Sequence, residues 1–210
     1  MNLAEMRTIV RRDLHDEDSG HYRFTDAELE RHIAHAVKDF SEAVPLEQTT
    51  LTVTVSGLRD IDISGLTGRV VVEAVEYPAG KFPPRFQRFS LWANVLTLLG
   101  DEVPDGSDAC IYYGKLHTLS VDSSTIPAMY EDLIATGAAG YAAMEFAAYT
   151  INQVNTGGEQ SPPDFLTFGK EGLSQFRREL KRLGRRNRIR ARELYTPWAN
   201  PVSKTIVSEP

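Results

Sequence analysis

Apolar residues recur at helical spacing near the start of the chain. A first helix is predicted over residues 3–14, since four apolar side chains lie three or four positions apart: Leu3, Met6, Val10 and Leu14. A second helix is predicted to begin after Thr25, because Thr25 and Glu28 have the spacing of a capping box. Pro45 is expected to end this second helix.

The period of the pattern changes from 3.6 to two after Gln48. Alternation of apolar residues with threonine predicts a half-buried strand that contains Leu51, Val53 and Val55. The valine-rich stretch at 69–77 predicts a more central strand. "FQRFSLWANVLTLLG" predicts two strands around a turn at Ala93–Asn94, since asparagine tolerates a positive φ. With a further strand at 109–118, five or six antiparallel strands are expected.

Helical spacing returns in the C-terminal half. A third helix is predicted over 126–154, capped by Ser124 or Thr125, and its glycines and alanines would let a neighbouring backbone approach closely. A fourth helix is predicted over 164–195, with Gly184 as a kink. The stretch "LIATGAAGYAAMEFAAYTI" is too weakly apolar to predict a membrane span, so we interpret it as a buried helix.

These elements together predict an α+β fold. Residues 1–47 and 120–195 would form a four-helix bundle, with two helices from each end of the chain. Residues 48–119 would form an inserted antiparallel β domain, and residues 196–210, with three prolines, an extended C-terminal tail.

The charge of the chain is unevenly distributed. The 210 residues contain 23 Lys/Arg and 29 Asp/Glu, a formal net charge of -6, yet "RELKRLGRRNRIRAREL" at 178–194 is strongly basic. Such a segment is typical of a solvated helix face, a docking surface for an acidic partner, or a nucleic-acid contact. The residues alone leave these three possibilities open.

A search for catalytic motifs predicts that the protein is not an enzyme and has no cofactor. "DEDSG" at 16–20 resembles the start of a calcium loop, but His21 stands where that loop needs glycine. His32 and His35 lie three residues apart without a second ligand cluster, which favours exposed helix-face histidines over a metal site. We therefore expect no bound metal.

Three stretches resemble the head–tail adaptor (connector, head-completion) proteins of tailed bacteriophages. They are "RFTDAELERHIAHAVKDFS", "FQRFSLWANVLTLLGDEVPDGSDACIYYGKLHTL" and "STIPAMYEDLIATGAAGYAAMEFA", and the similarity covers most of residues 3–195. The resemblance implies a structural protein of the virion neck, made in the host cytoplasm. It would form a ring, commonly of twelve copies, beneath the portal protein. The ring would extend the DNA channel and provide the attachment surface for the tail or a second neck protein.

The resemblance gives the basic helix and the tail a role in docking. Arginine suits such a surface because its planar fork pairs bidentately with carboxylates. The residues expected to face the portal or a neighbouring subunit are Arg182, Arg185, Arg186, Arg188, Arg190, Arg192, Trp198, Val202, Ile206 and Val207. Trp198 is the expected anchor of the tail, since buried tryptophans are frequent interface hot spots.

A cluster of acidic residues near the N-terminus would face the lumen, where DNA passes without sequence-specific binding. Its members are Asp13, Asp16, Glu17 and Asp18. Two alternatives remain open: another tail-completion or neck component of similar fold, and a nucleic-acid-binding packaging protein. No membrane partner is expected.

Overall fold

The computed structural model describes residues 1–101, 103–150 and 162–194, with side chains given for 164–189 in the last of these ranges. The described residues form an α+β fold of four helices and two small three-stranded antiparallel sheets. In chain order the elements are α1 (Leu3–Asp13), α2 (Asp26–Ala43), β1 (Leu46–Val53), β2 (Asp60–Asp62), β3 (Arg69–Glu76), β4 (Phe89–Trp92), β5 (Val95–Leu98), β6 (Asp108–Lys115), α3 (Glu131–Thr150) and α4 (Pro162–Leu194).

Both N-terminal helices begin at a capping box. The Thr25 side chain accepts a hydrogen bond from the Glu28 amide, and the Glu28 carboxylate accepts one from the Thr25 amide at 2.7 Å. This confirms the start predicted for α2. Asn2 and Glu5 form the same reciprocal pair at the start of α1, which the apolar spacing alone had not indicated. The first backbone amides of a helix have no hydrogen-bond acceptor within the helix. Each capping box provides acceptors for two amides at the helix start, that of the capping residue and that of the third helical residue.

The start of α3 differs from the prediction. A short 3₁₀ turn at Ala128–Tyr130 precedes α3, and its first residue has no side-chain cap. Ser124 accepts a hydrogen bond from the Ile126 amide, whereas Thr125 Oγ1 accepts one from the Thr118 amide. The two predicted caps therefore stabilise the preceding loop rather than the helix.

Glycines in α3 allow α4 to approach closely, as predicted. A Cβ atom at Gly137 would lie 2.9 Å from three ring atoms of Phe176, and one at Gly140 would lie 3.0 Å from Leu173 Cγ. α4 continues through Gly184, where an added Cβ atom would lie 3.6 Å from the Ala43 carbonyl oxygen.

One hydrophobic core is shared by all four helices. Fully buried side chains come from each helix, among them Met6, Phe40, Ile134 and Phe176. α3 contributes six alanines to this core. Side chains from the other helices therefore pack against the backbone and Cβ atoms of α3 rather than against long side chains.

The strands form two sheets with the orders β1-β6-β3 and β2-β5-β4. The turn at Ala93–Asn94 joins β4 to β5 as predicted, with Trp92 opposite Val95. The positive φ of 52° belongs to Ala93, however, and not to the asparagine. β6, rather than the valine-rich β3, occupies the centre of its sheet, and β2 was not predicted.

The chain divides into two compact units, each with its own core. The first comprises Met1–Glu47, Gly68–Val70 and Gly114–Gly184 and holds the helical core. Within the described residues, the second comprises Gln48–Thr67, Val71–Tyr113 and residues 185–194. Its core contains Ile61, Val75, Leu96, Leu98 and Ile111, all at most 3 % exposed.

Candidate assembly surfaces

The basic segment of α4 has one buried side and several exposed cations. Leu183 packs into the helical core, whereas Arg185, Arg186 and Arg188 are exposed. Arg182 pairs with Glu179 at 2.8 Å one turn earlier on the same helix. The backbone of Arg190 and Arg192 continues α4, but their side chains lie outside the described residues, as do Trp198, Val202, Ile206 and Val207.

A second surface lies along β1, where the predicted alternation is present but its orientation is reversed. Leu51, Val53 and Val55 are 65 %, 71 % and 58 % exposed, and Thr54 is buried. Thr54 is accommodated because its hydroxyl donates to the Ser107 carbonyl oxygen at 2.7 Å. β1 is also at the edge of its sheet, so it presents both apolar side chains and backbone edge groups to the outside.

The turn between β4 and β5 carries a third exposed apolar group. Trp92 is 86 % exposed at the last position of β4, beside the partly exposed Val95 of β5. A short hairpin holds this indole on a defined backbone, so little conformational freedom would be lost on binding. The sequence predicted the turn but not the exposure of the tryptophan.

The acidic residues near the N-terminus do not form one surface. Asp16 is 3 % exposed and pairs with Arg11 at 2.6 Å, and it also accepts a hydrogen bond from the Arg23 amide. Its burial removes it from any solvent-facing surface. Glu17 and Asp18 are exposed, and a hydrogen bond with His21 lowers the pKa of Asp18. Asp13 is half-buried, and this burial raises its pKa.

The two histidines of α2 have different environments, and the prediction that both are exposed is wrong for His32. His32 is buried, with Nε2 3.2 Å from a Glu145 carboxylate oxygen, and burial lowers its pKa. His35 is half-exposed and stacks on the ring of Tyr141, with 4.1 Å between the ring centroids.

His117 links the end of α2 to the loop before α3. Its Nε2 is 3.0 Å from the Val44 carbonyl oxygen, and its Nδ1 is 2.9 Å from the Thr125 carbonyl oxygen. The His117 amide also donates to the Ser41 hydroxyl oxygen, and burial lowers the pKa of the ring. These bonds explain a structural role for His117 within the helical unit.

Within the ranges that the structure describes, no group of three or more His, Cys, Asp or Glu side chains could hold a metal ion. None of the helices, over their described residues, combines the length and apolar content that crossing a bilayer requires. No family model matches the chain, and no curated protein matches it.

Proposed function

We propose that the protein is a structural head–tail adaptor of a tailed bacteriophage, without catalytic activity. In this proposal copies of the chain form a ring under the portal protein in the virion neck, and the ring extends the DNA channel. The four helices act as a bundle on the portal side. The inserted β region provides the surface for the tail or a second neck protein.

The observation that carries the proposal is the outward-facing apolar edge of β1. Two apolar side chains more than half exposed on an edge strand, with Val55 a third just beyond its end, are unfavourable in an isolated chain, because such strands template pairing with other chains. We take a second copy of the chain as the occupant, since a heterologous contact between identical subunits closes into a ring when the rotation allows it.

The order of the elements supports the proposal further. The β segment between Leu46 and Lys115 is inserted between two helical segments that share one core. This matches the helix–helix–β–helix–helix order implied by the resemblance. The exposed arginines of α4 would then dock on carboxylates of the portal protein.

Replacing the apolar edge tests self-assembly directly. The triple variant Leu51→Thr, Val53→Thr and Val55→Thr places a β-branched, strand-forming residue at each position but removes apolar contact area. Sedimentation velocity with and without portal rings should show a folded chain that no longer assembles. Val103→Thr with Val121→Thr is the matched control, because both residues are exposed elsewhere. Unchanged ring formation by the triple variant contradicts the proposal.

Docking on the portal is tested separately at the basic helix and the tail. Replacement of Arg185, Arg186, Arg188 and Arg190 by glutamine should slow binding to portal rings most at low salt, because rim charges mainly set the association rate. Deletion of residues 196–210 should leave a soluble, folded chain that binds portal rings weakly. Native portal affinity in both variants would place the attachment surface elsewhere.

A further inference from the structure

A groove of about 470 Å³ runs along α4 beside α3. It lies towards the N-terminal side of the arginine-rich segment and within the helical unit. Four of its seven lining side chains are cations, one is a hydroxyl, and none is a carboxylate: Met144, Lys170, Leu173, Ser174, Arg177, Arg178 and Lys181.

The cations form a row because of helical geometry. Positions 170, 174, 177 and 181 repeat at three or four residues and so share one face of α4. With a rise of ~1.5 Å per residue, the row from Lys170 to Lys181 is about 16 Å long. Arg177 is held within it by a hydrogen bond with the Tyr141 hydroxyl.

Three carboxylates near this row are engaged by other groups, and Glu171, beside Lys170 on α4, is exposed and does not line the groove. Glu145 pairs with Arg31, and Glu179 pairs with Arg182 at 2.8 Å. The Asp39 carboxylate accepts the hydroxyl hydrogen bond of Tyr141.

Across the described parts of the chain, no ion pair involves Lys170, Arg178 or Lys181. The groove therefore stays strongly positive although the chain as a whole is acidic.

The lining favours a phosphate backbone over an acidic protein surface. Protein interfaces depend on apolar and aromatic anchors at their centre, whereas the apolar residues of this lining are Met144 and the buried Leu173, and none of the lining residues is aromatic. Phosphodiester oxygens need only cations and hydrogen-bond donors, which Lys, Arg and Ser side chains provide. We propose that this groove binds the phosphodiester backbone of nucleic acid without reading its sequence.

The inference does not depend on the adaptor function, although it would place a DNA contact on α4 of such a protein. Bound counterions are released when cations neutralise phosphates, so log affinity falls with log salt by about 0.9 per phosphate contact. Each groove residue that contacts DNA should therefore contribute to that slope.

The test is the salt dependence of binding to a short labelled DNA duplex of random sequence, followed by fluorescence anisotropy. Lys170→Gln, Arg178→Gln and Lys181→Gln combined should make the slope shallower by about 2.7, from three contacts at 0.9 each. The control Lys81→Gln, Arg85→Gln and Arg88→Gln changes the net charge equally at exposed positions of the β region and should leave the slope unchanged.

A second measurement needs no variant. Lysine acetylation of the natural sequence with and without the duplex should show protection of Lys170 and Lys181, with Lys81 as the internal reference. Equal protection of all three lysines, equal slopes in the two triple variants, or no duplex binding by the parent chain would each overturn the inference. Displacement of the duplex by polyglutamate at equal charge concentration would instead assign the groove to an acidic protein surface. These outcomes concern DNA binding and not ring assembly. The groove proposal can therefore be refuted while the adaptor proposal stands, and the reverse.

Discussion

Gly137 lies in α3 where that helix meets the ring of Phe176, and replacing it by alanine tests the packing of the helical core. Alanine is favoured over glycine in a helix interior by about 1 kcal/mol, so helix propensity alone predicts that Gly137→Ala stabilises the protein. The structure predicts the opposite. The new methyl group would lie 2.9 Å from three ring atoms of a fully buried phenylalanine.

The magnitude follows from the balance of these two effects. Overpacking in a dense core costs about 1–3 kcal/mol, and the gain in propensity offsets part of it. We expect Gly137→Ala to lower the free energy of unfolding by up to about 2 kcal/mol, which corresponds to a fall in Tm of up to roughly 8 °C for a chain of this size. The ring of Phe176 cannot easily move away, because it also packs edge-on against Tyr141.

Gly172 of α4 provides a matched control. A Cβ atom there would meet nothing closer than 3.6 Å, an ordinary van der Waals distance. Gly172→Ala should therefore stabilise the protein by up to about 1 kcal/mol. Both variants replace glycine by alanine in a helix, and the structure predicts opposite signs for the change in the free energy of unfolding.

Urea unfolding followed by far-ultraviolet circular dichroism measures both variants. The double variant Gly137→Ala with Phe176→Leu completes a cycle, and contacting residues should show a coupling energy of about 0.5–3 kcal/mol. A midpoint raised by Gly137→Ala as much as by Gly172→Ala would show that α3 and α4 do not pack as described. The absence of coupling with Phe176 would show the same.

Three further predictions concern local features. Thr25→Ala should destabilise the protein by about 1 kcal/mol in urea unfolding, because the capping box with Glu28 is lost; an unchanged midpoint would contradict this. Ala93→Gly should stabilise the hairpin by about 0.5 kcal/mol, since glycine adopts the positive φ without strain, whereas a lower midpoint would refute it. The Tyr77 hydroxyl donates to Asp105 and lowers the Asp105 pKa to about 2, so this carboxylate contributes stability above pH ~4 that is lost as pH falls towards 2. Tyr77→Phe should raise that pKa in a carboxyl NMR titration, and a pKa that stays near 2 would exclude the hydrogen bond as its main cause.

Local signals in the sequence predicted the helices well. The cap at Thr25 and the apolar spacing of α2 depend on residues a few positions apart, and the structure places both as expected. The glycines of α3 were also informative, since close helix approach is a direct consequence of having no Cβ atom. The buried salt bridge of Asp16 with Arg11 was not predicted, although the two residues are five positions apart, because it forms where the chain leaves α1 at the positive φ of His15.

The exposed apolar residues of β1 and the cationic groove on α4 show why a sequence pattern alone does not predict a binding surface. Alternation along β1 fixes which residues share a face of a strand, but a period of two is unchanged when the strand is turned over. Which face is buried depends on what lies on either side of the sheet. Here Thr54 is buried, whereas Leu51 and Val53 are exposed on an edge strand.

The same reasoning applies to the cations of α4. Their number is visible in the sequence, but their availability depends on where the carboxylates of α2, α3 and α4 are engaged. Arg182 has a partner one turn away, whereas Lys170 and Lys181 line an open groove. An apolar edge on β1 and a cationic groove on α4 need different partners, an apolar strand or subunit surface for the first and a polyanion for the second. Together the two proposals describe a component of a nucleic-acid-containing assembly.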